Sequence, residues 1–172
     1  MKYIKLLLIS CVVFFVMFTL IGLLFPSSIT TVRAVVVNQP RQKVAAQLKI
    51  SDHWLAWYPY FLNAAGSSIS NAAGDTTIFA YDKKELLLYN KKSDSTAVAF
   101  TLEAYNGNKT TNTIMALPIS GDSTQTQVMW NETEHLKWYP WERFRGLVLE
   151  KTKGIYLDSA LTRFKTYIEA IK

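Results

Sequence analysis

Hydrophobic residues run from Leu6 to Phe25 without a charge, and nowhere else in the chain is the apolar pattern unbroken for so long. At about 1.5 Å per residue such a run reaches about 30 Å, the thickness of a bilayer's hydrocarbon core. It predicts one transmembrane helix. A cleaved signal peptide has a shorter apolar region followed by small residues, and Leu23-Leu24-Phe25-Pro26 provides no such site. Leu8-Ile9-Ser10-Cys11 has the outline of a lipoprotein box, but too few apolar residues precede the cysteine and the run continues past it. A core helix would need more surrounding protein than this chain has to cover a helix that is apolar on every side. Lys2 and Lys5 precede the run and no basic residue follows it before Arg33. The positive-inside rule therefore expects a single pass in the cell membrane, with the N-terminus cytoplasmic and the domain extracytoplasmic.

Beyond Pro26, which cannot continue a helix, the β-branched stretch from Thr30 to Val37 predicts a first strand. Asn38 is placed to cap a short helix from Pro40 to Leu48. Ser51 opens a second short helix that ends at Pro59. Strand segments follow at 76–81, 86–90, 96–105, 110–117 and 125–133, separated by polar and glycine-containing links. Links this short suit hairpins and rule out parallel crossovers, so the pattern predicts an antiparallel meander. After Pro140 the period becomes helical: Leu157, Leu161, Phe164, Ile168 and Ile171 lie on one side of a long C-terminal helix. Gly146 and Gly154 predict that Trp141 to Lys153 is a separate or kinked piece.

Composition changes this picture little. Hydrophobic residues make up 49% of the 172 residues, a value inflated by the apolar run. The rest has the composition of one ordinary α+β domain, residues 27–172 after an anchor of residues 1–26. The net charge is +6. The basic residues beyond the anchor are scattered among acids, which excludes a nucleic-acid interface and is compatible with a surface near anionic lipid. The one cysteine, Cys11, lies in the apolar run, so no intrachain disulfide and no thiolate metal site are expected.

The order of strand, two short helices, five-strand meander and long C-terminal helix resembles the helix-grip fold of the START/polyketide cyclase (SRPBCC) superfamily. In its membrane-anchored bacterial members an apolar span runs into the first strand, an N-x-P turn and a Trp-rich short helix. Phe25-Pro26-Ser27, Val35-Val36-Val37-Asn38-Gln39-Pro40 and Trp54-Leu55-Ala56-Trp57-Tyr58-Pro59 are similar to these. Thr126-Gln127-Val128-Met129-Trp130 resembles the family's penultimate strand end, and the stretch from Leu157 to Lys165 its final helix. The chain departs from the family in the short stretch from Ala64 to Gly74, where a longer second strand is usual, and in lacking glycines near the middle strands. The resemblance implies a curved sheet gripping the long helix, with a cavity between them that takes hydrophobic ligands.

Strand alternation names the residues expected to face that cavity. They are Phe79 with Tyr81, Phe100 with Leu102, Met115 with Leu117, and Val128 with Trp130, opposed by Leu157, Leu161 and Phe164. Ordinary core packing is the simpler reading of the same pattern and is preferred. His53 and His135 have no partner spaced for a metal site or a nucleophile, and no cofactor is implied. Glu132 and Glu134 share a strand face which Glu103 can approach; an exposed face is preferred over a buried general base. Trp54, Trp57, Trp138 and Trp141 are expected to tie the short helices to the sheet, although tryptophan also favours membrane interfaces. Asn108-Lys109-Thr110 and Asn131-Glu132-Thr133 match glycosylation sequons, which matter only on a eukaryotic secretory route.

Three functions remain open at this level. The first is a non-enzymatic domain, tethered through residues 6–25, that holds a hydrophobic or lipid-like small molecule. The second is a cyclase-like or hydrolase-like enzyme using a cavity carboxylate such as Glu103 or Glu132. The third is a membrane-surface interaction domain with a filled core. The sequence leaves the oligomeric state open.

Overall fold

The structure is a computed structural model that describes residues 2–58, 67–71, 74–81, 84–105 and 107–171. Pro59, residues 64–66, Asp82, Lys83 and Asn106, which enter the expected turns and the second short helix, lie outside the described residues. Helix α1, Lys2–Leu23, is long and apolar enough to cross a membrane. Nearly all its side chains are exposed, unlike those of a core helix.

Strand β1, Ser28–Val37, follows, then helix α2, Arg41–Lys49, and a short 3-10 helix, Ser51–Ala56. Pro40 takes the cap position of α2, with no side-chain cap bond. The expected capping by Asn38 does not occur: Asn38 lies two residues before the cap position, and its backbone N–H donates to Glu169 Oε1 at 2.8 Å. Strands β2, Ser67–Ser70, β3, Thr77–Tyr81, β4, Lys84–Ser93, β5, Ala97–Glu103, β6, Lys109–Ile119, and β7, Asp122–His135, complete the sheet. The sequence pattern missed β2, whose four residues Ser67-Ser68-Ile69-Ser70 carry little β-propensity and pair at the sheet edge with β3.

All neighbours are antiparallel, in the order β1-β7-β6-β5-β4-β3-β2. The first strand thus closes the meander beside the last, and α3, Pro140–Ala170, lies across β1. A bulge between Tyr89 and Lys92 bends β4, with Asn90 at φ 54°, a conformation that asparagine tolerates better than most residues.

Helix α3 is continuous, which corrects the expectation that Trp141 to Lys153 forms a separate helical piece. Gly146 and Gly154 bring the helix close to its neighbours. A Cβ on Gly146 would lie 2.6 Å from Leu136 Cδ1, and one on Gly154 2.1 Å from Arg33 Nη2. Tertiary packing here outweighs the roughly 1 kcal/mol that glycine costs a helix relative to alanine.

Trp54, Trp57, Tyr58, Phe100, Trp130 and Phe164 are all buried and meet across the inside of the sheet. Trp54 lies 4.7 Å from Phe100 and Trp57 5.0 Å from Phe164, ring centre to ring centre, both edge-on. Leu157, Ala160, Leu161, Phe164 and Ile168 of α3 close the core from the other side.

Candidate functional site

The inner face of β7 changes character along its length. Thr126, Val128, Trp130, Glu132 and Glu134 alternate with half-buried residues and are all buried. Period two puts them on one face, so the parity that turns Trp130 into the core carries both carboxylates inward with it. The expected exposed face for Glu132 and Glu134 is therefore corrected: their side chains are 4% and 6% exposed.

Helix α3 changes in step. Its C-terminal half covers Val128 and Trp130 with apolar residues, and its N-terminal half brings Arg145 and Lys153 to the carboxylates. Lys153 Nζ donates to Glu132 Oε1 and lies 3.6 Å from Glu134 Oε2. Arg145 Nη2 donates to Glu134 Oε1 at 2.6 Å and to Glu142 Oε2 at 3.0 Å. Acids and bases thus alternate in a chain from Glu132 to Glu142. Burial opposes the charge on Arg145, but its hydrogen bonds to Glu134 and Glu142 outweigh that and raise its pKa above the ordinary value. Arg145 Nε is also buried and has no hydrogen-bond partner among the described residues.

These groups wall a cavity of about 200 Å³ with Leu86, Leu102 and Tyr156 among its other lining residues. Its lining thus combines apolar side chains with four charged ones. A more open hollow of about 430 Å³ adjoins it, sharing Asn108, Glu134 and Arg145. Beside the cavity, Trp130 Nε1 donates to Asn112 Oδ1 at 2.9 Å, and Asn112 Nδ2 donates to Thr110 Oγ1 at 2.9 Å. Asn112 is fully buried, and these bonds supply the partners it needs away from water. The arrangement can hold a small molecule by placing its polar group against the ion chain and its apolar part against the two leucines.

Of the expected ligand-binding residues whose side chains the structure describes, Leu102 alone lines this cavity. Phe79, Phe100, Val128, Trp130, Leu157, Leu161 and Phe164 are buried in the core cluster. The side chain of Tyr81 lies outside the described residues. Met115 and Leu117 are corrected: Asn112, Ile114 and Ala116 are the buried set on β6, which puts Met115 on the opposite face. Every residue from Ile114 to Leu117 is apolar, so alternation there does not distinguish the faces. Glu103 also faces outward, beside buried Leu102, and pairs with Lys109 at 3.2 Å. Arg145, Lys153 and Tyr156 went unread in the sequence; their spacings of eight and three on one helix face were the available signal.

The four tryptophans expected to form one cluster separate into two pairs. Trp54 and Trp57 are 1% exposed, whereas Trp138 and Trp141 are 59% and 62% exposed, Trp141 next to α1. His53 Nδ1 lies 2.6 Å from Gln47 Oε1, and His135 is exposed at the end of β7.

No protein-family model and no curated protein sequence matches the chain. Solved structures do match it in shape. A START superfamily protein from Mycobacterium smegmatis is 10% identical with a TM-score of 0.64, over 83% of this chain and 99% of that one. The Zhui aromatase/cyclase from Streptomyces sp. R1128 is 12% identical with a TM-score of 0.60, over 83% and 94%. The XoxI protein from Bacillus cereus is 15% identical with a TM-score of 0.60, over 83% and 96%. At these identities the likeness is one of fold, and the chain after α1 has the START/polyketide cyclase-like helix-grip fold.

Proposed function

We propose that this chain is a membrane-tethered, non-catalytic binding protein whose helix-grip domain holds a small amphipathic molecule between β7 and α3. The observation that carries this reading is the cavity lined both by Leu86 and Leu102 and by Glu132, Glu134, Arg145 and Lys153. Its volume of about 200 Å³ is below the roughly 300–1,000 Å³ of pockets that enclose drug-sized ligands. That favours a small ligand over a whole lipid. Paired carboxylates and an Arg145 Nε without a partner favour a ligand with a hydroxyl, amide or carboxyl group.

Helix α1 is the tether, with Lys2 and Lys5 at its cytoplasmic end and the domain on the other side of the cell membrane. Residues of the outer hollow, His135, Lys137 and Glu142, are close in sequence to the α3 turn that packs on α1. That supports a cavity mouth near the bilayer, where amphipathic molecules concentrate.

Of the two carboxylates named for the enzymatic alternative, Glu132 lines the cavity, where Lys153 holds it as an ion pair. A base so paired must first lose its partner, so binding is the preferred reading.

The test is native mass spectrometry of the full chain in mild detergent, with extraction of whatever co-purifies. A bound small molecule that is lost in the Arg145→Met variant supports the reading. A co-purified molecule that is chemically converted, or an intact long-chain lipid that is lost in Arg145→Met, overturns it. Carbonate extraction of membranes tests the tether: a cleaved N-terminus or soluble protein would mean that α1 is a signal sequence.

A further inference from the structure

The first turn of α3 is packed on the last turns of α1, and the contact is close. A Cβ on Gly22 would lie 3.3 Å from Pro140 Cα and 3.6 Å from Arg143 Cβ. The Phe144 ring stands edge-on to Phe18, at 6.2 Å between centres, and to Phe25, at 5.4 Å. Phe15, Phe18, Pro140, Trp141 and Phe144 line a hollow of about 380 Å³ between the two helices.

Depth follows from the helix rise. If the apolar run fills the hydrocarbon core, α1 ends at its edge with Leu23, Gly22 lies beside that edge and Phe18 about 8 Å of helix below it. Pro140 and Arg143, close against Gly22, then sit at the edge of the core, and Phe144, edge-on to Phe18, dips below it. The exposure pattern agrees. Trp141 is more than half exposed beside α1, Trp138 three residues before it is exposed to the same degree, and Val148, one heptad after Trp141, continues the apolar stripe at 62% exposure. In water such a patch is a liability; at a bilayer interface tryptophan is favoured.

Arg143 adds a charge to this apolar place. It is 9% exposed with its stem against Gly22, and its Nε and Nη1 are buried without a hydrogen-bond partner among the described residues. Buried guanidinium donors left without a partner are costly, and a phosphate oxygen is a strong acceptor for them.

We propose that the α1–α3 junction seats a phospholipid of the leaflet facing the domain, with an acyl chain in the hollow, the phosphate at Arg143, and Trp138 and Trp141 in the interfacial layer. This rests on α1 spanning the membrane but not on the cavity under α3.

The full chain is reconstituted into vesicles of phosphatidylcholine and phosphatidylglycerol whose acyl chains carry bromine, which quenches tryptophan fluorescence on contact. Quenching is expected in the wild type and is lost in the Trp138→Phe/Trp141→Phe variant, since Trp54, Trp57 and Trp130 are buried. Native mass spectrometry of protein released from the same vesicles should show bound phospholipid, reduced several-fold by Arg143→Gln and largely retained by Arg143→Lys. Absence of quenching in protein that resists carbonate overturns the seat and leaves the span standing. Protein released by carbonate overturns the span, and the seat with it. Lipid retention unchanged in Arg143→Gln overturns the role of Arg143.

Discussion

Lys153 on α3 donates to the buried carboxylate of Glu132 on β7, closing the polar end of the cavity. Neither residue is explicable alone. The carboxylate is buried because the ammonium is there, and the ammonium is oriented by two carboxylates on one strand face.

Removing one partner of such a pair leaves a buried charge uncompensated. Lys153→Met is expected to destabilise the domain by about 3 kcal/mol, while the double variant Glu132→Gln/Lys153→Met recovers much of that loss. Denaturant unfolding of the two single variants and the double one measures the coupling. Additive effects would show that the pair does not hold the cavity together.

The parity of β6 has a direct mutational signature. Ile114→Ala deletes buried methyl groups and should cost about 2–4 kcal/mol, whereas Met115→Ala on the outer face should cost less than about 1 kcal/mol. Thermal unfolding compares them, and equal losses would contradict the observed register.

The two helix glycines should respond differently to alanine. At Gly146 the new methyl meets Leu136 Cδ1 and approaches Ile29, both in packed surroundings, so Gly146→Ala should destabilise by about 1–3 kcal/mol despite its better helix propensity. At Gly154 the obstacle is the Arg33 guanidinium, part-exposed and paired with exposed Asp158 at 3.3 Å, which can swing into solvent. Gly154→Ala should be close to neutral. Calorimetry of the two variants checks the contrast.

Acid should loosen the β4–β5 turn. Asp94 Oδ1 accepts from the backbone N–H of Thr96 at 2.6 Å and of Ala97 at 2.7 Å, and these bonds hold its pKa below the ordinary value. A carboxyl depressed on folding contributes stability above its unfolded pKa, about 4, and loses it as pH falls through the lower folded value. Asp94→Ala should therefore be less stable than wild type at neutral pH, with the gap narrowing below about pH 4. A pH series of unfolding midpoints with a constant gap would refute this.

Much of the architecture was written in local patterns. The charge-free run predicted α1, β-branched and alternating stretches predicted β1 and the meander from β3 to β7, and the three- and four-residue spacing from Leu157 predicted the C-terminal half of α3. These signals survive in one dimension because each element exposes and buries its own faces with a fixed period. The resemblance to the helix-grip superfamily was legible for the same reason, through the order of elements. Local pattern failed where partners are remote. Glu132 and Glu134 share the parity of Trp130, yet carboxylates at core positions read as surface until Arg145 and Lys153 are seen to meet them.

The sequence by itself determined the apolar helix, the order of elements and the apolar half of the core, because burial of hydrophobic surface is written into residue type and spacing. Only the tertiary structure decided which half of the sheet–helix space is filled and which is a charged cavity. It alone also divided the tryptophans between the core and the foot of the domain. Pairing a buried charge, or seating an aromatic ring, depends on what arrives from elsewhere in the chain, and no local pattern records that arrival.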